Sequence, residues 1–437
     1  LQVSDPATPA LLRRINARTV LDTLRGTEVD WSVAEVATST ELSRPTVDAA
    51  MADLVRMGAV VEASGPASAP ARPRRGRPAR RFCFRAGAGH LLGVDVAEES
   101  VHAAVADLAG DLVAERTRGV DREAGRRCRL RVVRATVRAV LAAAGVRAGD
   151  VLTAVVGTPG TVDADAGRVR FCTALPEWSD LDLAASLRSA FGCPVLVEND
   201  ANLAAVGEAW RGVAVGCRDI AFLLLGSRTG AGFVVDGRLL RGHGGGAGEL
   251  GFLDLWEESR TARGDVARAS AELVTEFVGW GSRRPSRHSL RRPEDRESLS
   301  WGVETRPLID AASGGSREAR AALERFVAGA GYALVTVALL VSPELVVIGG
   351  GTAADEVLVD PLRRITQRLL RGRIATPPRV AASALGERAV VLGAVRRGLD
   401  DVEPRLLDWF ETRGAGDAGA PVSAERAPRR GVGQPRR

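Results

Sequence analysis

The chain contains no lysine: all 60 of its basic residues are arginine, set against 54 acidic ones. A net charge of +6 resting on a single residue type tracks genomic base composition as readily as it tracks a nucleic-acid partner. Basic charge therefore argues for DNA only where it clusters, as it does between residues 72 and 81. Cysteine is also scarce and scattered. Cys83, Cys128, Cys172, Cys193 and Cys217 form no CxxC pair, so no thiolate set has structural-zinc spacing, and they read as single reduced thiols packed as small hydrophobes. Neither a metal nor a cofactor is expected. No apolar run approaches the roughly 20 residues that span a bilayer, and the amino end lacks a signal-peptide pattern. These absences set the expectation of a cytoplasmic protein with no membrane partner.

What is present suits a small domain followed by two larger lobes: 437 residues, 45% of them hydrophobic. Leu11, Leu12, Ile15, Val20, Leu21 and Leu24 have helical apolar spacing. Ser32 then caps a short helix over residues 33–37, and Ser43-Arg44-Pro45-Thr46-Val47 opens a second one reaching about Met57. Helix, short helix, turn and a sharply started helix make the layout of a helix-turn-helix whose second helix enters the major groove by its N-terminal residues. Val47, Leu54 and Val55 are expected in the core, with Ser43, Arg44, Thr46 and Asp48 outward. Arg44 is the candidate for a base edge, and Ser43 and Thr46 for phosphate or base contacts. The alternative for this region is a three-helix bundle that mediates oligomers.

Residues 58–62 and 81–85 read as the two strands of a wing. Between them lies a Pro- and Arg-rich stretch that includes Arg72, Arg74, Arg75, Arg77 and Arg80. Its core, Arg75-Gly76-Arg77-Pro78, resembles an AT-hook arm, narrow enough for a minor groove. The alternative is a solvated linker making loose phosphate contacts. The DNA-reading candidates are thus Ser43, Arg44, Thr46, Arg74, Arg75 and Arg77.

Farther on, Val195-Leu196-Val197 is a short apolar strand that delivers Glu198-Asn199-Asp200-Ala201-Asn202 at its carboxyl end, where open α/β sheets bind ligands. Asn199 and Asp200 offer donors and acceptors for vicinal hydroxyls, and the carboxylate can take a hydroxyl proton. Equally, either residue can cap the helix that follows. Residues 221–225 form another buried-strand run leading into Gly226-Ser227-Arg228-Thr229-Gly230-Ala231-Gly232. After it come the hairpin turn Asp236-Gly237, Arg241-Gly242, the flexible run Gly244-Gly245-Gly246, and Gly248-Glu249-Leu250-Gly251-Phe252. With Gly157-Thr158-Pro159-Gly160 upstream and Val346 to Gly351 downstream, this ordered set resembles the ROK family of sugar kinases and transcriptional repressors, including its xylose- and N-acetylglucosamine-type repressors.

The resemblance covers nearly the whole chain. It implies a two-lobed actin-like, ribonuclease H-like sugar kinase fold behind an N-terminal winged helix-turn-helix. It also places Asp200 at the family's catalytic base and Asn199 and Glu249 at sugar-holding positions. The sequence departs from the kinases where Asp95 is followed by Val96-Ala97-Glu98-Glu99-Ser100 in place of a Gly-Gly-Thr turn for ATP phosphates. A unit charge pair at 4 Å and effective dielectric 20 is worth about 4 kcal/mol, so each glutamate is expected to repel phosphate. Arg228 replaces a glycine, Phe252 replaces a histidine that contacts sugar and, in many members, zinc, and residues 255–299 lack the Cys-rich zinc loop.

The expected organisation is a DNA-binding domain over 1–86, a first lobe over 87–200, a second over 201–400 with its last helix returning to the first lobe, and a disordered tail over 401–437. The expected function is a sugar-responsive repressor with a degenerate kinase-like domain, without phosphotransfer. Its partners would be operator DNA, a sugar or sugar derivative as effector, and a second or further copies in a homodimer or homotetramer. The alternatives are an active ATP-dependent sugar kinase carrying a DNA-binding domain, and a ligand-blind DNA-binding or scaffold protein.

Overall fold

The computed structural model describes residues 9–26, 29–63, 80–225, 229–250, 311–350 and 356–414. The chain forms two compact units, one of residues 1–88 together with 403–437 and one of residues 89–402.

In the first unit, α1 (Pro9–Arg25) is followed by β1 (Trp31–Ser32), α2 (Val33–Thr40) and α3 (Arg44–Arg56), then by the wing strands β2 (Val60–Glu62) and β3 (Arg81–Phe84). The three strands pair antiparallel in the order β1-β3-β2. A capping box starts α2: Ser32 Oγ accepts from the Glu35 amide, and the Ser32 amide donates to Glu35 Oε2 at 2.7 Å. That backbone hydrogen bond holds the Glu35 carboxyl below its ordinary pKa. Ser43 caps α3, with Pro45 in its first turn. Val20, Leu21, Leu24, Val36, Val47, Met51 and Leu54 form the core.

Of the apolar residues of α1, Leu11, Leu12 and Ile15 are about half exposed, while Ala17, Val20, Leu21 and Leu24 are buried. Two expectations need correction. Val55 is 38% exposed; the buried stripe of α3 is Val47, Ala50, Met51 and Leu54, spaced i, i+3, i+4, i+7, and Val55 falls one position beyond it. The segment from residue 401, expected as a disordered tail, is helical to residue 414. Its last helix (Leu406–Gly414) belongs to the first unit. Leu406, Leu407 and Phe410 are buried there, and Phe410 meets Phe84 edge-on at 6.4 Å. Arg25 Nη1 pairs with Glu403 Oε1 at 3.3 Å, Arg18 Nη1 donates to the Pro404 carbonyl at 3.2 Å, and Arg14 pairs with Asp408. Residues 415–437 lie outside the described residues.

The second unit holds two five-stranded sheets of the same topology. The first comprises β4 (His90–Val96), β5 (Ser100–Asp107), β6 (Leu112–Gly119), β7 (Val151–Thr158) and β11 (Val195–Asn199). Between them come α4 (Arg126–Ala144), a small sheet of β8 (Thr161–Asp163), β9 (Arg168–Phe171) and β10 (Leu181–Asp182), and α5 (Leu183–Phe191). The order is β11-β7-β4-β5-β6: an antiparallel three-stranded meander extended in parallel by β7 and β11.

After α6 (Asp200–Arg211) the pattern repeats. β12 (Ile220–Leu225), β13 (Thr229–Val235) and β14 (Arg238–Leu240) form a meander, which α7 (Arg317–Val341), β15 (Leu345–Gly349), α8 (Glu356–Leu370) and β16 (Arg379–Ala382) extend in parallel. Numbered within its own lobe, each sheet reads 3-2-1-4-5. Strands buried on both faces explain the near-continuous apolar runs at 151–158 and 345–349. The final helix of this unit, α9 (Ala389–Val402), packs on β4 and β7 and crosses α6. That crossing brings backbones together: a Cβ on Gly393 would lie 1.8 Å from the Leu203 carbonyl oxygen. The helix of residues 406–414 is α10.

Candidate functional site

β11 pairs in parallel with β7, setting Asn199 opposite Thr158, so both carboxyl ends open at one place. Asn199 takes extended backbone and caps α6: its Oδ1 accepts from the Asn202 amide at 3.1 Å and its Nδ2 donates to the Gly160 carbonyl at 3.1 Å. An amide side chain has two donors and two lone pairs, so each end of Asn199 keeps one position for a hydroxyl. Asp200, the first residue of α6, is 7% exposed and accepts from the Ala201 amide at 2.8 Å.

Glu249 joins these two through β8. Thr161 Oγ1 donates to Glu249 Oε1 at 3.3 Å, one residue beyond the Gly160 carbonyl that Asn199 holds. Asn199 and Glu249, named separately from the sequence, are thus tied to consecutive residues of one turn, with Asp200 next to Asn199 in the chain. Within the glycine run before Glu249, a Cβ on Gly245, whose φ is +80°, would lie 1.9 Å from the Val162 carbonyl oxygen of β8, so this position needs glycine for close approach, whereas Gly244 and Gly246 are not crowded.

Three further residues were not singled out by sequence reasoning. Glu198 is 3% exposed; its Oε1 accepts from the Asn199 amide at 3.1 Å and Asn202 Nδ2 at 3.0 Å, and its Oε2 accepts from Arg241 Nε at 2.7 Å. It anchors the strand end, the first turn of α6 and the start of the Glu249 loop together. The available signal was a carboxylate in an otherwise apolar strand. Trp178, fully buried, donates its indole N–H to Thr158 Oγ1 at 2.9 Å and braces the strand beneath the site.

The turn between β4 and β5 is built around arginine. Arg129 of α4 is fully buried, and burial lowers its pKa. Its Nη1 donates to the Ala97 and Glu98 carbonyls at 2.8 and 2.9 Å, and its Nη2 to the Asp121 and Arg122 carbonyls at 3.2 and 3.1 Å. Glu98 is buried and paired with Arg122, which also lies 3.4 Å from Glu99. The two glutamates are therefore not the bare charges of the sequence argument; Arg122 offsets part of their field. Gly226 to Arg228, Gly351, Phe252 and residues 255–299 lie outside the described residues. Among the described residues no cluster of three or more His, Cys, Asp or Glu side chains could hold a metal ion.

On the first unit, Ser43 Oγ accepts from the Thr46 amide at 3.3 Å and lies 2.8 Å from Thr46 Oγ1, so these two candidates hold each other. Arg44 is exposed at the helix start. At the wing base, Arg80 makes a bidentate pair with Glu62 at 2.9 and 2.8 Å and stacks over Phe82 at 5.2 Å. Arg74, Arg75 and Arg77 lie outside the described residues.

Among known proteins, the sequence profile of the ROK family matches residues 91–264 and 288–397, and that of the IclR helix-turn-helix domain matches residues 16–64. A xylose repressor from Caldicellulosiruptor bescii is 25% identical over 407 residues, 90% of this chain and 97% of the relative. A glucokinase from Thermotoga maritima is 32% identical over 249 residues, 55% of this chain and 76% of the enzyme. A solved ROK family transcriptional regulator, a homologue of the E. coli MLC protein, shares the fold with a TM-score of 0.65 at 19% identity, over 92% of this chain and 99% of its own. A ROK family glucokinase from Streptomyces griseus, in complex with glucose and AMPPNP, aligns with a TM-score of 0.57 at 26% identity, over 71% of this chain and 99% of its own. With the profile spanning both lobes around Asn199, Asp200 and Glu249, the chain belongs to the ROK family.

Proposed function

We propose that the chain is a DNA-binding transcriptional regulator of the repressor type that responds to a sugar. One observation carries this reading: a capped helix-turn-helix with wing strands is part of the same chain as Asn199 and Glu249, which are tied to the adjacent residues Gly160 and Thr161. The similarity to a xylose repressor along 90% of the chain supports it. The effector is an aldose or a close derivative, held by the open positions of Asn199, the Asp200 carboxylate and Glu249. Arg44 and Thr46 face the DNA, with Arg74, Arg75 and Arg77 on its backbone or in a minor groove. The working form is a homodimer or homotetramer in the cytoplasm, binding two half-sites through paired reading helices.

Phosphotransfer is not part of the proposed activity, and no cofactor is proposed. The turn after β4 lacks the glycines whose amides would wrap phosphates, and Arg129 holds its carbonyls instead. The second reading, an active sugar kinase with an attached DNA-binding domain, draws on one observation: Asp200 is buried in the first turn of α6, beside Asn199. Fluorescence anisotropy with DNA from upstream of the chain's own gene, repeated with xylose, glucose, their phosphates and ATP, separates the two. Salt-sensitive specific binding shifted by one sugar supports the regulator. ATP-dependent phosphorylation of that sugar, lost in Asp200→Ala, supports the kinase.

A further inference from the structure

The face that α3 turns away from the core carries Arg44, Pro45, Asp48, Ala49, Ala52 and Val55, all exposed. On the opposite face Val47, Ala50, Met51 and Leu54 are buried. Asp48 therefore sits at the middle of the outward face, one helical turn after Arg44, within the N-terminal stretch that a helix-turn-helix inserts into the major groove. Its carboxylate has no hydrogen bond or ion pair with any described residue. Arg80 at the wing base senses this charge: its pKa is raised first by its bond to Glu62 and, to a smaller degree, by the charge of Asp48. Glu62 already takes that guanidinium in a bidentate pair, so Asp48 remains open as an acceptor.

An open carboxylate on the face offered to a polyanion is repelled by every phosphate and gains nothing from non-specific contact. It can only accept. On the major-groove floor, guanine and thymine present acceptors that repel it, whereas the N4 amino group of cytosine presents a donor that suits it. We propose that Asp48 is a specificity-determining residue that reads a cytosine amino group in each half-site and rejects guanine and thymine there. This rests on the DNA-regulator reading. It assigns to an acidic side chain a role that the basic residues cannot fill, since Arg44 selects by donating.

Selection from a randomised DNA library by the full chain, without sugar, tests it in three proteins. The wild type is expected to prefer cytosine over guanine by about tenfold at one position per half-site. Asp48→Ala is expected to lose that preference while keeping those at the other positions, and to bind random-sequence DNA about threefold more tightly at low salt. Asp48→Asn is expected to move the preference at that position towards adenine, whose N6 and N7 suit an amide. This switch cannot come from a merely structural role. Unchanged preferences at every position in both variants would overturn the assignment while leaving the regulator reading intact. If the wild type enriches no sequence at all, the regulator reading falls and the role of Asp48 falls with it.

Discussion

Asp200 and Arg44 bear the two halves of the proposed function, and each can be removed without touching the other. Asp200→Ala is expected to weaken sugar binding at least tenfold, as loss of a charged hydrogen-bond partner does, while operator affinity stays within twofold; calorimetry and anisotropy read the two effects. Arg44→Ala is expected to cost about 1–3 kcal/mol of discrimination against a wrong base, and less against random DNA. Cys193 gives a prediction in pH. Burial pushes its thiol up to about 11, so it stays protonated and unreactive at pH 8. Disulfide-reagent titration of the folded protein should spare Cys193 there and reach the half-buried Cys83, Cys128 and Cys217 first. Asn199 and Asp200 were legible in the sequence because a short apolar strand ended on them. Glu198 was not, because its worth lies in Arg241 and Asn202, and the Arg241 contact spans 43 residues of sequence.

Helices and strands were legible wherever local chemistry decided them. Ser32 and Ser43 mark the starts of α2 and α3, and the apolar runs mark β7, β12 and β15. α10 was not legible. Leu406, Leu407 and Phe410 lie among charged residues and look like part of a solvated end until α1 and Phe84, more than 300 residues earlier, supply the surface that buries them. Arg129 was hidden for another reason: it reads as one more arginine of a basic helix and instead is buried and holds four carbonyls. Phe410→Ala is expected to destabilise the DNA-reading unit by about 3–5 kcal/mol. Thermal unfolding should show an earlier transition with operator affinity lost alongside it, while sugar binding persists below that transition.

At the scale of the whole molecule, the two lobes repeat one sheet topology and meet along α6 and α9, whose crossing is close enough to exclude a side chain at Gly393. α6 begins with Asp200 and ends with Arg211, which donates to the Gly110 carbonyl at 2.9 Å in the turn after β5; between them Glu208 accepts from the Leu385 amide at 3.1 Å. A sugar bound at the proposed site, at the head of α6, would touch an element tied to both lobes. It can alter DNA binding only by the difference in its affinity for the DNA-bound and free forms. Linkage then requires that saturating operator DNA change sugar affinity by the same factor as saturating sugar changes operator affinity. Calorimetric titration of sugar into protein and into the protein–operator complex should give two constants whose ratio matches the anisotropy shift; equal constants would leave the sugar with no regulatory role.

The placement of α10 also bears on how the protein is made. The reading helix is translated before the sensor unit, yet the helix that closes its core emerges only after the whole of that unit. A nascent chain stalled or cleaved inside the sensor carries a reading head that lacks Leu406, Leu407 and Phe410. Such a fragment is expected to hold operator DNA less tightly than the full chain.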